Sequence, residues 1–387
     1  MNKHLTCIPE SINVALANKV REKIANGEAV IQLQTGDPDF ATPKAIVNEL
    51  ANSLHNGNTH YCSSSGVSSL KRAIVEKLKS KNHFLTANSE QVTISHGAVQ
   101  GIHLALGSII TPGDEVILIA PYWLAYQSNV SLFGAHPKVC NTQFDTGFQP
   151  DIKAIESLIT PKTKAIIINT PNNPTGAVYS KQTLTSIGEL CKKHGIFIIS
   201  DEVYESLTYE AEHISIQSLF PKYEKIISVF SYSKTYAMTG WRLGYLYSSK
   251  NIAKQINKLI QFQSTCINPA IQSAGICALR DSSVQSQITS YRSAYQERRD
   301  KVLKIIKGSW LENCITIPQG AFYFWVDISS TQQDAITFCE MILTKYSISL
   351  TPGNAFSHDY AHYIRFTFAT ETEELLHAVN TLTKLEF

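Results

Sequence analysis

The sequence lacks several features that would assign it to a specialised class of protein. Its eight cysteines form no CxxC pair, which argues against a zinc ribbon or a thioredoxin-type redox site. Neither charge is in excess, since 34 lysines and arginines are balanced by 32 aspartates and glutamates, and no basic face for nucleic acid is indicated. No internal repeat or low-complexity segment is visible. These absences favour an ordinary globular protein.

The chain also has little that suggests a membrane or secretion. Residues 1–20 contain no continuous apolar core, so a signal peptide is not expected. The uncharged stretch 92–113 is long enough to span a membrane, but it contains His96, Gln100 and His103, which favour a buried helix. Unclustered cysteines in a large chain are typical of a reduced, cytoplasmic protein. We therefore expect a cytoplasmic location and neither membrane nor nucleic-acid binding.

Short apolar runs alternate with amphipathic segments between about residues 46 and 275, in a chain of 387 residues that is too long for one small core. These runs are rich in Ile and Val and lack strict alternation, as do strands that are buried on both faces of a parallel sheet. The runs are 92–95, 115–120, 164–170, 196–200, 225–231 and 243–248. The pattern predicts an α/β fold, with a three-layer α/β/α large domain and a mostly parallel sheet over residues 46–275.

The pattern changes after about residue 275. A long helix is predicted from Ser282 to Ile306, then a strand within 314–328, a helix around 331–346 and a strand near 362–368. Mixed helices and strands of this kind indicate a smaller α+β domain. We assign residues 1–45 and 276–387 to it, because the first 45 residues show no sheet strand of their own.

The segment 231-SYSKTYAMTGWRLGY-245 carries the most specific chemistry. Lys234 follows a predicted buried strand, Ser231 and Ser233 flank it, and Arg242 lies eight residues further on. A lysine amine forms a Schiff base with an aldehyde, while serines and an arginine can hold a phosphate. The common cofactor that carries both groups is pyridoxal 5′-phosphate, PLP.

Further candidate residues follow other predicted strands. Ligands of open α/β sheets bind outside the carboxyl ends of the strands, so groups placed there should converge. Gly97 and Ala98 follow the 92–95 strand, Asn173 follows 164–170, Asp201 and Tyr204 follow 196–200, and Ser231 and Lys234 follow 225–231. Four strand ends therefore deliver polar side chains or backbone amides to one edge.

These motifs together resemble the fold-type I, PLP-dependent aminotransferases of class I and II over nearly the whole chain. The matching segments, in the family's order and spacing, are 36-GDPDF-40, Tyr61, 169-NTPNNPTG-176, 200-SDEVYE-205, 231-SYSKTYAMTGWRLGY-245 and 363-YIRFTFA-369. The resemblance implies an enzyme that moves the α-amino group of an L-amino acid to a 2-oxo acid.

The resemblance also implies a function for each residue around the PLP ring. Lys234 would hold PLP as a Schiff base and then act as acid and base. Asp201 would face the pyridine nitrogen, although an aspartate after a strand also caps helices. Asn173 and Tyr204 would bond the phenolic oxygen. Trp123, in 121-PYW-123, would stack on the ring or serve as simple core.

The phosphate and the substrate would be held by residues further from the ring. Ser231, Ser233, Arg242 and the amides of Gly97 and Ala98 would bind the phosphate, the amides at the positive end of a helix. Tyr61 would reach the phosphate of a partner subunit in a homodimer, unless it is an ordinary half-buried tyrosine. Arg365, Asn173 and the backbone at Gly36 would bind the substrate carboxylate. No metal is expected.

Some positions depart from the family's usual pattern and leave the chemistry after substrate binding open. The segment at Tyr61 reads 61-YCSSSG-66, Val99 stands where many relatives have lysine, and the 264–272 segment carries Cys266 and no arginine. Dicarboxylate substrates are thus weakly disfavoured. The alternative activities on this scaffold are β/γ-elimination, cyclisation or oxidative deamination in secondary metabolism. A non-catalytic PLP-binding regulator is disfavoured, because the N-terminus has no DNA-binding extension.

Overall fold

Three sheets organise this protein, whose computed structural model describes residues 12–387. The strands are β1 (Ile31–Gln32), β2 (Val92–Ser95), β3 (Glu115–Ala120), β4 (His136–Asn141), β5 (Thr163–Asn169), β6 (Phe197–Asp201), β7 (Ile226–Ser231), β8 (Gly244–Ser248), β9 (Tyr323–Asp327), β10 (Ile348–Ser349), β11 (Thr351–Pro352) and β12 (Tyr363–Thr367). The largest sheet has seven strands in the order β2-β8-β7-β6-β5-β3-β4.

This seven-stranded sheet is mostly parallel, as predicted. Strand β8 runs antiparallel to both of its neighbours, and every other pairing in the sheet is parallel. Because β8 separates β7 from β2, strand β2 points in the same direction as the parallel strands. The carboxyl ends of β2, β5, β6 and β7 therefore lie at one edge of the sheet.

The central strands are buried on both faces, which explains their continuous apolar sequences. Every residue of β3 is buried. Its neighbouring side chains enter different cores: Leu118 packs in a cluster with residues of helix 97–109, whereas Ile117 and Ile119 pack with residues of helix 181–194. Helices thus cover both faces, and the predicted three-layer α/β/α arrangement is confirmed.

Strand β4 was not predicted. It lies at the end of the sheet, pairs only with β3 and is half-exposed, with His136 and Asn141 on the surface. An edge strand of this kind tolerates Pro137, because one side of its backbone needs no partner. Its sequence, HPKVCN, therefore has neither the apolar run nor the alternation that marks a strand.

The helices are α1 (Ile12–Ala25), α2 (Lys44–His55), α3 (Ser68–Lys81), α4 (Gly97–Ile109), α5 (Ala125–Leu132), α6 (Ile152–Ser157), α7 (Lys181–His194), α8 (Ile216–Leu219), α9 (Lys250–Gln263), α10 (Pro269–Arg280), α11 (Ser282–Ile305), α12 (Ala335–Tyr346) and α13 (Thr372–Thr383). Helix α7 begins and ends at typical capping residues. The Ser180 hydroxyl accepts a bond from the Thr183 amide, and Gly195 ends the helix with a φ of +67°. The predicted long helix is α11.

A second core lies around the three-stranded antiparallel sheet β11-β12-β9. Side chains of α11, α12 and α13 pack with this sheet in one apolar cluster. The expectation that the first 45 residues carry no strand was wrong, because β1 pairs in parallel with β10. Two residues are too few to show a sequence period. The part of that expectation on residues 1–11 lies outside the described residues.

No helix among residues 12–387 is long and apolar enough to cross a membrane. The uncharged stretch 92–113 forms β2 and the 13-residue helix α4, which packs against the central sheet. Its apolar character thus reflects burial inside the protein, as the polar side chains within it indicated.

Candidate active site

A cavity of about 370 Å³ lies at the edge where the carboxyl ends of the parallel strands meet. Most of the residues predicted for the site line it: Gly36, Ala98, Trp123, Asn173, Asp201, Tyr204, Ser231, Ser233, Lys234, Arg242 and Arg365. The convergence follows from topology, since parallel strands place all of their carboxyl ends at the same edge.

Lys234 enters the cavity from the turn that follows β7. Its Nζ donates a hydrogen bond to the carbonyl oxygen of Gly36. Burial lowers the pKa of this amine to about 8; Asp37 opposes the shift, and Arg365 and Arg242 add to it. A lysine amine with a pKa near 8 has a much larger neutral fraction near neutral pH than an ordinary lysine, and its neutral form can act as a nucleophile or a base.

Asp201 ends β6 as a buried carboxyl group. It accepts a hydrogen bond of 2.6 Å from the Tyr126 hydroxyl and one of 3.2 Å from the Val203 amide. Burial raises the pKa of Asp201 to about 6, although both donors lower it. A buried carboxylate of this kind is stabilised by a cationic partner such as a protonated pyridine nitrogen.

The Gly97 turn brings the start of α4 against Arg242. Gly97 has a φ of +70°, and a Cβ atom built on it would lie 2.6 Å from Nη2 of Arg242. The guanidinium donates through Nη1 to the Thr239 carbonyl at 2.7 Å. The Ser231 hydroxyl accepts from the Ser233 amide at 3.1 Å. Amides, hydroxyls and a guanidinium in so small a space suit a phosphate group.

Arg365 lies on β12 and is 5% exposed. Its Nη1 donates to the Asn173 side-chain oxygen at 2.9 Å, and Nη2 donates to the Gln34 carbonyl at 2.7 Å. Its Nε is buried without a partner. Among residues 12–387 no carboxylate lies within 4 Å of this guanidinium. A buried cation with only neutral partners is costly, so the site favours an anionic ligand.

Tyr323 explains why position 36 is glycine. A Cβ atom on Gly36 would lie 2.7 Å from the Tyr323 hydroxyl oxygen, and the Arg365 guanidinium lies 4.2 Å from the centre of the Tyr323 ring. The same hydroxyl is 2.9 Å from that of Tyr204. The absent side chain at Gly36 therefore makes room for a tyrosine of this chain, in addition to the predicted approach of a ligand.

Nine residues that line the cavity were not predicted for the site, among them Tyr126, Asn169 and Tyr323. Asn169 donates to the Asp201 carbonyl at 3.1 Å and accepts from the Asn173 amide at 2.9 Å, so it joins two strand ends. Tyr126 follows Trp123 by three residues, and the two rings meet edge to face at 5.7 Å. That spacing was the available signal. Tyr323 lies in the aromatic run 322-FYFW-325, which is typical of core.

Two predicted residues lie outside the cavity lining. Gly97 does not line the cavity itself but lies against the Arg242 guanidinium, as described above. Tyr61 is 86% exposed, so within one subunit it is neither half-buried nor part of the cavity. Its contact with the phosphate of a partner stays a prediction.

A cluster of possible metal ligands lies behind Asp201. Glu202, Glu205 and His213 place one ligand atom each within 4.8 Å of one another. The Lys77 ammonium forms a salt bridge with the Glu205 carboxylate, and His213 Nε2 lies 2.9 Å from a Glu202 oxygen. The ammonium and the hydrogen bonds compensate the carboxylates, so this cluster is a network of ion pairs.

Comparison with known proteins gives one consistent family. The sequence model described as aminotransferase class I and II matches residues 28–382. The aspartate aminotransferase of Thermotoga maritima is 34% identical, over 99% of this chain and 98% of the relative. The aromatic-amino-acid aminotransferase 2 of Thermococcus litoralis is 33% identical, over 97% and 96%. The solved aspartate aminotransferase of Thermus thermophilus with maleate superposes with a TM-score of 0.94 at 32% identity, covering 99% of both chains.

Proposed function

We propose that this protein moves the α-amino group of an L-amino acid to a 2-oxo acid through Lys234. The chain belongs to the class I and II aminotransferases and is a PLP-dependent aminotransferase. One observation supports this assignment of residues. A lysine and an arginine, neither of them within 4 Å of a carboxylate among residues 12–387, line one cavity together with the buried Asp201. Such a set of charges fits a cofactor and a substrate that bring the missing partners.

Bound PLP supplies an aldehyde that captures the amino group and a ring that accepts the electron pair released at the substrate Cα. Asp201 would accept a hydrogen bond from the pyridine N–H and keep that nitrogen protonated, and Tyr126 would hold the carboxylate in place at 2.6 Å. Asn173 and Tyr204 would donate to the phenolic oxygen. Trp123, which is partly buried and lines the cavity, would cover one face of the ring.

Ser231, Ser233, Arg242 and the amides of Gly97 and Ala98 would hold the phosphate. The closeness of Arg242 to Gly97 supports this, because the guanidinium and the helix start would reach the same oxygens. Binding of the phosphate would hold the aldehyde carbon of PLP near Lys234 and would restrict the cofactor to one orientation.

Lys234 and Arg365 would act on the substrate itself. The Arg365 guanidinium would bind the α-carboxylate, with Asn173 orienting the guanidinium through the 2.9 Å bond described above. The Lys234 amine, with its pKa near 8, would take the proton from the substrate Cα and return it at the carbon that the cofactor aldehyde supplies, two bonds away across the nitrogen. The Gly36 carbonyl would position that amine between the two events.

We further propose a homodimer in which Tyr61 reaches the phosphate of the partner. Tyr61 and Phe262 are 86% and 92% exposed. The segment after Tyr61 joins the helix of Phe262, because the Ser64 hydroxyl donates to the Asn257 side chain at 2.8 Å. Large exposed aromatics on joined segments are typical of an interface.

The division into a large domain (46–275) and a small domain (1–45 and 276–387) also remains our proposal. The seven-stranded sheet lies wholly between residues 92 and 248, and the three-stranded sheet lies wholly between residues 323 and 367. The cytoplasmic location likewise stays a prediction.

A spectral titration would test the proposed reaction. Single L-amino acids are added to the PLP-loaded protein without any 2-oxo acid, and the cofactor absorbance and products are followed. We expect stoichiometric conversion of the cofactor to its amino form, reversed by a 2-oxo acid. Repeated turnover without a 2-oxo acid would instead indicate elimination, cyclisation or oxidation and would overturn the proposal.

Lys234→Ala, compared with Lys250→Ala, would test the assigned residue. Lys250 is a surface lysine at the start of α9, with a side chain 58% exposed. We expect Lys234→Ala to lose covalent attachment of PLP, detected by borohydride reduction and mass spectrometry, and Lys250→Ala to keep it. Covalent attachment in Lys234→Ala would contradict the assignment.

A further inference from the structure

Tyr323 contacts three residues of the candidate active site, each through a defined part of its side chain. Its hydroxyl oxygen lies 2.9 Å from that of Tyr204, and the Arg365 guanidinium lies 4.2 Å from the centre of its ring. A Cβ atom on Gly36 would lie 2.7 Å from the same hydroxyl oxygen. Tyr323 is 1% exposed, and these contacts all lie within one subunit. A partner subunit therefore neither supplies nor blocks them.

The hydroxyls of Tyr204 and Tyr323 form a hydrogen bond between two neutral groups. Burial raises the pKa of both tyrosines, so both keep their protons near neutral pH. Arg365 opposes this shift in both of them. Asp201 adds to the shift in Tyr204, as Asp37 does in its neighbour. Either hydroxyl can donate in such a pair, so the direction of the bond depends on what else the two oxygens contact.

The direction of this bond is fixed when Tyr204 donates to the phenolic oxygen of PLP, as in the proposed function. Tyr204 has a single hydroxyl proton, so its oxygen is then left as an acceptor. The Tyr323 hydroxyl has no other hydrogen-bond partner in the described part of the chain, and it donates to that oxygen. Successive hydrogen bonds polarise one another in a buried site, which makes Tyr204 the stronger donor.

We propose that Tyr323 is a positioning residue, whose hydroxyl donates to Tyr204 and thereby strengthens the hydrogen bond from Tyr204 to the phenolic oxygen of PLP. The inference rests on the proposed function, because that function places PLP beside Tyr204. The phenolic oxygen carries most negative charge after the Schiff base of PLP with Lys234 has lost its proton. A stronger bond to this oxygen therefore lowers the pKa of the Schiff base.

The pKa of the Schiff base measures the effect without any amino acid, through the pH dependence of the absorbance of the PLP-loaded protein. Tyr323→Phe removes the hydroxyl and keeps the ring beside Arg365. We expect this variant to raise the pKa of the Schiff base by about 0.5 unit. A pKa equal to that of wild type would overturn the proposal.

Tyr245→Phe is the matched control. Tyr245 is 3% exposed and packs in a different core, and its hydroxyl has no hydrogen-bond partner among residues 12–387. Its replacement also removes a buried tyrosine hydroxyl, but it should change the pKa of the Schiff base by less than about 0.1 unit. A rise as large as that in Tyr323→Phe would show that the pKa responds to any such loss, and the proposal would fail.

Tyr204→Phe tests whether Tyr323 acts through Tyr204. This variant loses the direct bond to PLP and should raise the pKa of the Schiff base by about one unit or more. Adding Tyr323→Phe to it should have no further effect, because no bond remains for Tyr323 to strengthen. A second rise of about 0.5 unit in the double variant would show that Tyr323 acts independently of Tyr204 and would refute the proposal.

Gly36→Ala reaches the same hydroxyl by another route, and it keeps the proposal testable if Tyr323→Phe does not fold. The new methyl group would displace the hydroxyl from Tyr204, so the pKa of the Schiff base should rise here too. When Tyr323→Phe is also present, the nearest atoms to the methyl group are ring carbons at 3.7 and 4.0 Å, and no further rise is expected. An unchanged pKa in Gly36→Ala would contradict the proposal.

The outcomes separate this inference from the proposed function. If PLP forms no Schiff base with Lys234, the proposed function fails and the inference fails with it. If the Schiff base forms and Tyr323→Phe leaves its pKa unchanged, the proposed function stands and only the role of Tyr323 is wrong. If the pKa rises as expected but no amino acid converts the cofactor, the role of Tyr323 stands and the proposed reaction is wrong.

Discussion

Replacing Asp201 by asparagine should stabilise the cofactor-free protein while it weakens cofactor binding. Asp201 is 3% exposed, and burial raises its pKa from 3.8 to about 6. In the absence of a pyridinium partner, the ionised carboxylate is therefore less stable in the folded protein than in the unfolded chain. Asparagine has nearly the same shape and carries no charge, so it removes this penalty.

The size of the effect follows from the shift in pKa. About two pKa units at 1.36 kcal/mol each correspond to roughly 3 kcal/mol of destabilisation above pH 6. Asparagine has one side-chain oxygen where aspartate has two, so it keeps only one of the bonds from Tyr126 and Val203. The lost bond costs about 1 kcal/mol. We expect Asp201→Asn to raise the free energy of unfolding by about 2 kcal/mol at pH 8.

The sign of the effect depends on pH. The folded-state pKa of Asp201 is raised, so the carboxyl group is protonated in both states below about pH 4 and the electrostatic penalty is absent there. The penalty grows between pH 4 and 6 and is complete above pH 6. The net gain from Asp201→Asn should therefore fall to about zero near pH 4.5, where a remaining penalty of about 1 kcal/mol balances the lost bond, and become a small loss well below pH 3.8.

Urea denaturation of the cofactor-free protein at a fixed protein concentration measures this difference. Asp359→Asn is the matched control, because Asp359 is exposed and accepts a bond of 2.9 Å from Asn141. It should change the free energy of unfolding by less than about 0.5 kcal/mol. An Asp201→Asn protein that is no more stable than wild type at pH 8, or that is equally stabilised at pH 4.5, would refute the reasoning.

Two further predictions concern cofactor binding. Gly97→Ala should weaken PLP binding by about tenfold or more, because its Cβ would lie 2.6 Å from Arg242 at a φ of +70°; Gly147→Ala, at a φ of +61° with nothing within 4 Å, should not. Equal PLP affinities in a fluorescence titration would contradict this. The rate at which the cofactor-free protein captures PLP covalently should rise with pH through about 8, because the Lys234 amine must lose its proton first. A rate that stays constant from pH 7 to 9 would contradict the lowered pKa of Lys234.

Much of the central sheet could be predicted because its strands are buried on both faces. Ile, Val and other apolar residues then fill most positions, and the runs at 115–120 and 225–231 match β3 and β7 closely. The edge strand β4 and the two-residue strand β1 were missed for a related reason. A half-exposed strand needs no apolar run, and a strand of two residues has no period.

The residues that carry chemistry were found because each follows a predicted strand or lies within one and belongs to a recognisable motif. Lys234, Asp201 and Arg365 were identified in this way, and all three line the cavity. Two supporting tyrosines, Tyr126 and Tyr323, were not. Tyr126 bonds Asp201 from a position 75 residues away, and Tyr204 meets Tyr323 across 119 residues. The local sequence around Tyr323 does not distinguish it from a tyrosine that only fills a core.

The sequence by itself determined which elements form, the family of the chain and the groups available for chemistry, because these depend on local periodicity and on motifs that are contiguous in the chain. The tertiary structure alone decided which charges stay unpaired, that Gly36 makes room for Tyr323, and that Val99 lies in the cavity wall. These properties depend on distances between residues that are far apart in sequence. They are set by how helices and strands pack.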